Sequence, residues 1–509
     1  MAVPVRSASE VAALRSWHDD WSGLRVAVLG LGVTGFSVAD TLAELGAEVV
    51  VFADGADEER ADLLDVIGAR LVVADLRRAG ASLVADFAPE LIVVSPGFAP
   101  SHPIIVDAAR AATPVWGDVE LAWRLRDKLD RPAEWFTVTG TNGKTTTVQL
   151  TTAMMIAGGK RVVACGNVGV PVLDAIRDPG GFDAFVVELS SFQLHYSHSL
   201  SAHSSACLNI AADHLDWHGS ADAYSAAKAK VYENTRVACI YNRHDDATRI
   251  MVEHADVVEG CRAIGFGLGP PGPSDVGIVE DIVCDRAFID DRHTNALELA
   301  TLGQLESAGL GAPHMIANVL AASALARSYR IPASAIRQAI LGFHLDQHRT
   351  ELIATHADVR WINDSKATNP HAADAAVGAF ESVVWVVGGL LKGVDISDVV
   401  ARNADRLRAA VVIGADRAEV LAAFARHAPE LPVFEVETAD TKEVMAIAVR
   451  LSDLAARPGD AVVLAPAAAS MDQFTDYADR GRQFAAAVHE MLGGRPDDDK
   501  HPPSPATAP

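Results

Sequence analysis

Thr139-Gly140-Thr141-Asn142-Gly143-Lys144-Thr145-Thr146 follows the apolar run Trp135-Phe136-Thr137-Val138. A strand that feeds a glycine-rich loop and then a helix aims backbone N–H groups and a helix N-terminus at phosphate oxygens. Gly140, Thr141, Asn142, Gly143, Lys144, Thr145 and Thr146 are therefore the candidate ATP-phosphate residues. Lys144 adds positive charge, and the Thr145 hydroxyl can sit on Mg²⁺. The spacing departs from Gly-x-x-x-x-Gly-Lys-Thr, because Val138 stands where the first glycine would be and Gly140 is the nearest upstream one.

A magnesium nucleotide also calls for a carboxylate at the end of a neighbouring strand, and Glu188, closing Phe185-Val-Val-Glu188, fits that place. Leu189-Ser-Ser-Phe-Gln-Leu194 adds polar groups at the same strand end, where open α/β sheets bind ligands. Further on, Asp213-His214-Leu-Asp216-Trp-His218 sets His214 between carboxylates just after a strand, a candidate for metal or phosphate contact. His218 reads as well as a packed or solvated side chain as it does as a ligand. Lys228, on an alanine-rich helix, reads from composition alone as a surface lysine.

Two other strings could bind substrate. Gly30-Leu-Gly32-Val33-Thr34-Gly35 lies between a strand and a helix, and Asp54 ends the next strand. This fingerprint suits a pyrophosphate flanked by a ribose, whether in a dinucleotide or in a UDP-linked substrate. Trp361-Ile-Asn363-Asp364-Ser365-Lys366-Ala367-Thr368-Asn369-Pro370 crowds six polar or charged side chains into the seven residues 363–369 at a strand end, which is wasteful as structure. Lys392 and Ser470 follow two other strands at equivalent ends, which suggests a substrate pocket; helix capping is the alternative for Ser470.

The elements that must position these residues are strands alternating with helices, in three α/β domains. Arg25–Leu29, Glu48–Phe52 and Leu91–Val94 are predicted strands of the first, Ala184–Val187 of the second, and Val359–Ile362, Val383–Val387, Ala410–Ile413 and Ala461–Leu464 of the third. The boundaries read as an N-terminal extension at 1–23, domains at 24–131, 132–345 and 346–492, and a proline-rich, disordered tail at 493–509. Gly265–Pro273 reads as an exposed loop. A chain of 509 residues, half of them hydrophobic, suits about three domains.

A net charge of −24 argues against a nucleic-acid backbone or an anionic membrane as partner. Cys165, Cys207, Cys239, Cys261 and Cys284 are scattered, with no Cys-x-x-Cys pair, so neither a disulfide framework nor a zinc site is indicated. With no apolar signal region at the start and no apolar run near the ~18 residues of a membrane span, a soluble, cytoplasmic protein without membrane insertion is expected.

Taken together these strings resemble the Mur ligases, ATP-dependent amide-forming enzymes that build the peptide stem of peptidoglycan. The short phosphate loop is the form that superfamily shares with folylpolyglutamate synthetases, which accounts for the missing glycine. Gly30–Gly35, Ser95-Pro-Gly97, Gly117-Asp-Val-Glu120, Glu188–Leu194, Asn363–Asn369 and Ala465-Pro-Ala-Ala-Ala-Ser-Met-Asp-Gln-Phe474 look like the branch that adds D-glutamate. The resemblance implies an N-terminal Rossmann-like domain, a central P-loop ATPase-like domain and a C-terminal Rossmann-like domain. It implies a monomer acting on UDP-N-acetylmuramoyl-L-alanine, D-glutamate and ATP, with two Mg²⁺ sites.

By the same resemblance Gly32, Val33, Thr34, Asp54, Ser95 and Asn167 hold the UDP substrate. Asn318, Arg349, Asp364 and Lys366 complete the ATP site, and Thr368, Lys392, Ser470, Met471 and Phe474 hold D-glutamate. Lys144, Glu188, His214 and Lys228 are the catalytic set, with Thr145, Glu188, His214 and Lys228 as metal ligands. Lys228 matches a lysine that the family carbamylates, which reverses its surface reading. The usual His-Asn-x-x-Asn is here His314-Met315-Ile-Ala-Asn318, so one adenine contact is lost, and Met471 replaces a common leucine. The N-terminal extension and the tail lie outside the resemblance and are expected to be among the least ordered parts.

The implied reaction activates the L-alanyl carboxylate as an acyl phosphate, which the amine of D-glutamate then displaces, and closure of the third domain over the second is expected to exclude water. A folylpolyglutamate synthetase-like ligase shares the loop but lacks a UDP-type first domain. A dehydrogenase or nucleotide-sensing module would rest on the glycine fingerprint alone.

Overall fold

The computed structural model describes residues 5–56, 58–344, 348–438 and 440–493; the segment read as a tail lies outside them from residue 494 onward. The chain divides into two compact units, one through His344 and one after it.

The first unit holds two sheets. In the smaller, all neighbours are parallel, in the order Arg70–Val73, Glu48–Ala53, Arg25–Leu29, Leu91–Val94, Val115–Gly117. The strand order reverses between Arg25–Leu29 and Leu91–Val94, so their carboxyl ends open the crevice where such sheets take ligands. Val26, Val28, Val49, Val51, Leu91 and Val93 are buried, as near-continuous apolar runs covered by helices on both faces must be.

The larger sheet has nine strands. From one edge it runs Val162–Gly166, Ala184–Glu188, Glu134–Thr139, Ser204–Cys207, Ala238–Asn242 and Arg262–Phe266, all parallel, then Asp275–Val279, Ile282–Asp285 and Leu297–Thr301, the last two pairings antiparallel. Glu134–Thr139 is interior, flanked by Ala184–Glu188 and Ser204–Cys207, and it feeds the phosphate loop. The Gly265–Pro273 segment matches its reading as an exposed loop only in part, with Leu268, Pro270 and Pro273 exposed. Gly265 is still strand, paired with Asp275, and Pro271 is buried, because a parallel neighbour follows at once and the turn must fold back on the sheet.

The N-terminal stretch is also more ordered than its position in the chain suggests. Ser7 and Glu10 form a capping box on the helix Ala8–Ala13. Val11 and Trp21 are fully buried, and Arg124 Nη1 donates to the carbonyls of Ala12 and Leu14 at 2.9 and 2.8 Å.

The second unit is a six-stranded sheet in the order Glu351–His356, Val359–Asn363, Ala461–Leu464, Val383–Gly388, Leu407–Ile413, Val433–Glu435, parallel except for the first pair. Trp361, Trp385, Val386, Val411 and Leu464 are buried in its two faces. Among the described residues no helix is long and apolar enough to cross a membrane.

Candidate functional site

The phosphate loop is built by its neighbours. Asn209, just past the adjacent strand, clamps Asn142 from both sides: its Oδ1 accepts from Asn142 N at 2.8 Å and its Nδ2 donates to Asn142 O at 3.1 Å. Thr141 N donates to Asn209 O at 2.9 Å, and the Thr141 and Tyr224 hydroxyls share a hydrogen bond at 2.9 Å. Gly143 caps the helix Lys144–Ala157 at φ +83°, and a Cβ there would strike the amide of Asn318, which is how Asn318 comes to bear on the loop. Lys144 Nζ donates to the carbonyls of Gly140 and Thr141 at 2.8 and 2.9 Å. Thr145 and Thr146 are buried in the first helical turn, where the positive end of the helix dipole favours an anion.

Glu188 ends the strand beside the loop. Asn167 Nδ2 donates to its Oε1 at 3.0 Å, while Oε2 is buried without a hydrogen-bond partner among the described residues. Such an atom costs free energy unless something cationic or protic meets it. Hard oxygen donors at the rim of a phosphate loop suit Mg²⁺, and Thr145 and Glu188 are those donors, so the residues present fit the ion.

Lys228 is 2 % exposed, on the helix Ala221–Ala229, and donates to Thr139 Oγ1 at 3.2 Å and Gly140 O at 2.9 Å. The surface reading from composition is overturned: the helix buries this lysine against the strand that feeds the loop. Burial, then the charge of Lys144, pushes its ammonium down to about 7. A lysine with a large neutral fraction is a nucleophile for carbon dioxide, and only as a carbamate would it offer oxygens to a cation. Among the described residues no three His, Cys, Asp or Glu side chains are gathered for a metal.

His214 caps the helix Leu215–His218 at φ +52°, with its ring 4.7 Å from that of Phe192 and Nε2 3.6 Å from Asp213 Oδ2. His218 takes the packed alternative. It stands 4.5 Å from the Trp217 ring and shares a hydrogen bond with Ser191 Oγ at 2.9 Å, and burial pushes it down to about 4, so it is neutral.

The crevice of the smaller sheet is joined to this site by direct contacts. Gly35 packs on the Gly30 carbonyl so closely that a Cβ would collide with it. The Ser95 hydroxyl, buried without a partner among the described residues, lies beside Gly30. Gly32 and Val33 open the helix Val33–Glu44, followed by Thr34, and Asp54 accepts from Leu76 N at 2.8 Å. Tyr196 OH donates to Phe98 O at 2.8 Å and Trp217 Nε1 approaches Gly97 O at 3.4 Å, so the Ser95–Phe98 turn is held by residues that follow Glu188 and His214. Gln193 Nε2 donates to Asp118 at 3.0 Å, and His198 N and Ser199 N donate to Glu120 at 2.7 and 2.9 Å. The strings at 117–120 and 188–194 thus interlock the two sheets.

In the second unit three adjacent strand ends meet. Asp364, Lys366 and Thr368 follow Val359–Asn363; Ser470, Met471 and Phe474 follow Ala461–Leu464; Lys392 follows Val383–Gly388. Leu390 and Ala469 exchange backbone hydrogen bonds at 2.9 and 3.0 Å, which sets the Lys392 and Ser470 segments side by side. Burial pushes the Asp364 carboxyl up to about 6 against the opposing charge of Arg349.

Several polar residues of the 363–369 string are structural after all. Asn363 Nδ2 donates to Gly481 O at 3.1 Å, and Asn369 caps the helix Pro370–Gly378. Ser365 Oγ donates to Tyr477 O at 2.7 Å and is met by Arg480 Nε at 3.0 Å. Ser470 starts no helix; its carbonyl accepts from Gln473 and Phe474 in a turn. Phe474 is packed in the core, and Met471 is 65 % exposed.

The sequence reading missed Asn209, Tyr224 and Arg480. Asn209 carried a signal, a polar residue just past a strand. Arg480 carried none, yet it is fully buried and binds the carbonyls of Ser365 and Ala468 at 2.8 and 3.1 Å.

Three family models match the chain: the Mur ligase MurD-like N-terminal domain at 24–117, the Mur ligase middle domain at 138–326 and the Mur ligase glutamate ligase domain at 348–468. UDP-N-acetylmuramoylalanine--D-glutamate ligase of Leifsonia xyli subsp. xyli is 63% identical over 504 residues, 97% of each chain. The protein of the same name from Streptomyces coelicolor is 50% identical over 480 residues, 93% of this chain and 99% of its own.

Among solved structures, UDP-N-acetylmuramate-alanine ligase MurC from Thermotoga maritima aligns with a TM-score of 0.55 at 17% identity, over 92% of this chain and 99% of its own. A pseudomurein peptide ligase type C from Methanothermus fervidus aligns with a TM-score of 0.53 at 16% identity, over 92% and 100%. These two likenesses establish the fold, and the sequence matches establish kinship. The chain belongs to the Mur ligases, the ATP-dependent, amide-forming ligases of peptidoglycan precursor synthesis.

Proposed function

We propose that this ligase joins D-glutamate to UDP-N-acetylmuramoyl-L-alanine in the cytoplasm, as a monomer, through an acyl phosphate. The names of its relatives support the substrates. The observation that carries the chemistry is the ATP-phosphate loop flanked by the bare Glu188 oxygen and the buried Lys228.

The L-alanyl carboxylate attacks the γ-phosphorus of ATP, ADP leaves, and the amine of D-glutamate adds to the acyl carbon. Phosphate departs from the tetrahedral intermediate as the amine loses its proton. Lys144 and the loop N–H groups stabilise charge on the transferring phosphoryl group. Thr145 and Glu188, and at a second site His214 and carbamylated Lys228, would hold Mg²⁺, which would supply neutralisation of the two approaching anions. Gly32, Val33, Thr34, Asp54, Ser95 and Asn167 are assigned to the UDP substrate, Asn318, Arg349, Asp364 and Lys366 to ATP, and Thr368, Lys392, Ser470, Met471 and Phe474 to D-glutamate.

The test is phosphate release from ATP with UDP-N-acetylmuramoyl-L-alanine and amino acids of both hands. Release that requires the UDP substrate together with D-glutamate is expected. Release with L-glutamate alone, or with a folate acceptor in place of the UDP substrate, overturns the reading.

A further inference from the structure

Cys239 and Cys261 are far apart in sequence and adjacent in space. Cys239 lies in the strand Ala238–Asn242, opposite Ala263 of the parallel neighbour Arg262–Phe266. Cys261 precedes that neighbour by one residue and falls on the same face as Ala263, two positions on. Their sulfurs are 3.7 Å apart. A disulfide needs about 2 Å, so bond formation requires the two side chains to rotate and the strands to shift toward each other.

The two thiols differ in a way that suits sequential oxidation. Cys239 is 1% exposed, whereas Cys261 is only partly buried, at the strand entrance. A hydrogen bond from the Cys239 thiol lowers Cys261, and the same contact with burial raises Cys239. Among the described residues the other three cysteines have no such sulfur contact: Cys165 and Cys207 are buried and pushed up by burial alone or chiefly, and Cys284 is raised likewise.

We propose that Cys239 and Cys261 form a peroxide-driven disulfide, a modification site separate from the ligase chemistry. The Cys261 thiolate attacks one oxygen of hydrogen peroxide, the O–O bond breaks, and the released hydroxide is protonated to water, leaving a sulfenic acid. The Cys239 thiol, losing its proton, attacks that sulfur and expels a second water as the S–S bond forms. Peroxide is reduced by two electrons and the two thiols are oxidised by two. A thiol reductant reverses the step.

The bond would close the loop that carries the helix Asp246–Glu253. That excursion braces the phosphate site: Asp245 Oδ2 accepts from Ile210 N at 2.8 Å, and Asn242 Nδ2 donates to Leu208 O at 3.0 Å, on either side of the loop-clamping Asn209. Oxidation therefore stiffens the segment behind the phosphate loop.

The experiment treats the full chain with hydrogen peroxide, blocks remaining thiols, and reads the product by peptide mass mapping and by amide hydrogen exchange. Loss of two hydrogens on one linked 239–261 peptide pair, reversal by dithiothreitol, and slower exchange at 243–258 are expected. Cys261→Ser, and separately Cys239→Ala, should abolish the linkage and leave reduced-state turnover unchanged. Oxidation of Cys261 to sulfinic acid without pairing, or a linkage between other cysteines, overturns the proposal; so does a chain whose thiols all survive peroxide.

Discussion

Asn167 holds one oxygen of Glu188 at 3.0 Å, and the other is buried with no hydrogen-bond partner among the described residues. An amide on one side fixes the rotation of the carboxylate and leaves the second oxygen open to the cation proposed for this site. Glu188→Gln keeps the volume and removes the charge. Its turnover should fall about 100-fold or more, the loss typical of removing a transition-state electrostatic contact, with ATP still bound by calorimetry and a weaker response to Mg²⁺. Unchanged magnesium dependence would contradict the assignment.

Lys228 should show itself in both activity and stability. Lys228→Ala is expected to abolish turnover, with partial rescue by short carboxylates that replace a carbamate; full activity without additives would sink the carbamate proposal. The folded chain holds this amine at about 7 against 10.5 for the free side chain. Between those values the unfolded chain binds more protons than the folded one, so unfolding free energy rises with pH across that window and is flat below it. Denaturant titrations from pH 7 to 10 should show that slope, and Lys228→Met should lose it.

Gly143 stands at φ +83° with the Asn318 amide where its Cβ would be. Gly143→Ala adds a left-handed backbone penalty of about 1–2 kcal/mol and displaces Asn318. Nucleotide affinity should drop about tenfold or more while binding of the UDP substrate, measured separately, is kept. Equal loss of both would mean that the whole unit had been disturbed.

A chain beginning at Gly23 removes Val11 and Trp21 from the core and two acceptors from the buried Arg124. With about 1.5–3 kcal/mol for each fully buried apolar side chain, the first unit should lose at least about 3 kcal/mol and melt several degrees lower in calorimetry. A truncated chain with the full melting temperature would refute this account of the N-terminal helix.

The amino-acid sequence by itself determined the local features. Apolar runs made the strands, as at Leu91–Val94 and Ala461–Leu464, because a strand buried on both faces must be apolar along its length. The glycines and Lys144 made the phosphate loop legible, because a backbone cradle needs those residue types in that order.

What depends on distant partners was decided only by the tertiary structure. Lys228 looks like any helix lysine until the strand ending at Thr139 is packed over it. Cys239 and Cys261 look scattered until parallel pairing sets them on one face. Arg480 carries no local pattern, because its partners Ser365 and Ala468 reach it only through the packing of its helix on the sheet. Propensity and spacing are properties of neighbours along the chain, whereas burial, proton affinity and sulfur contact are properties of neighbours in space.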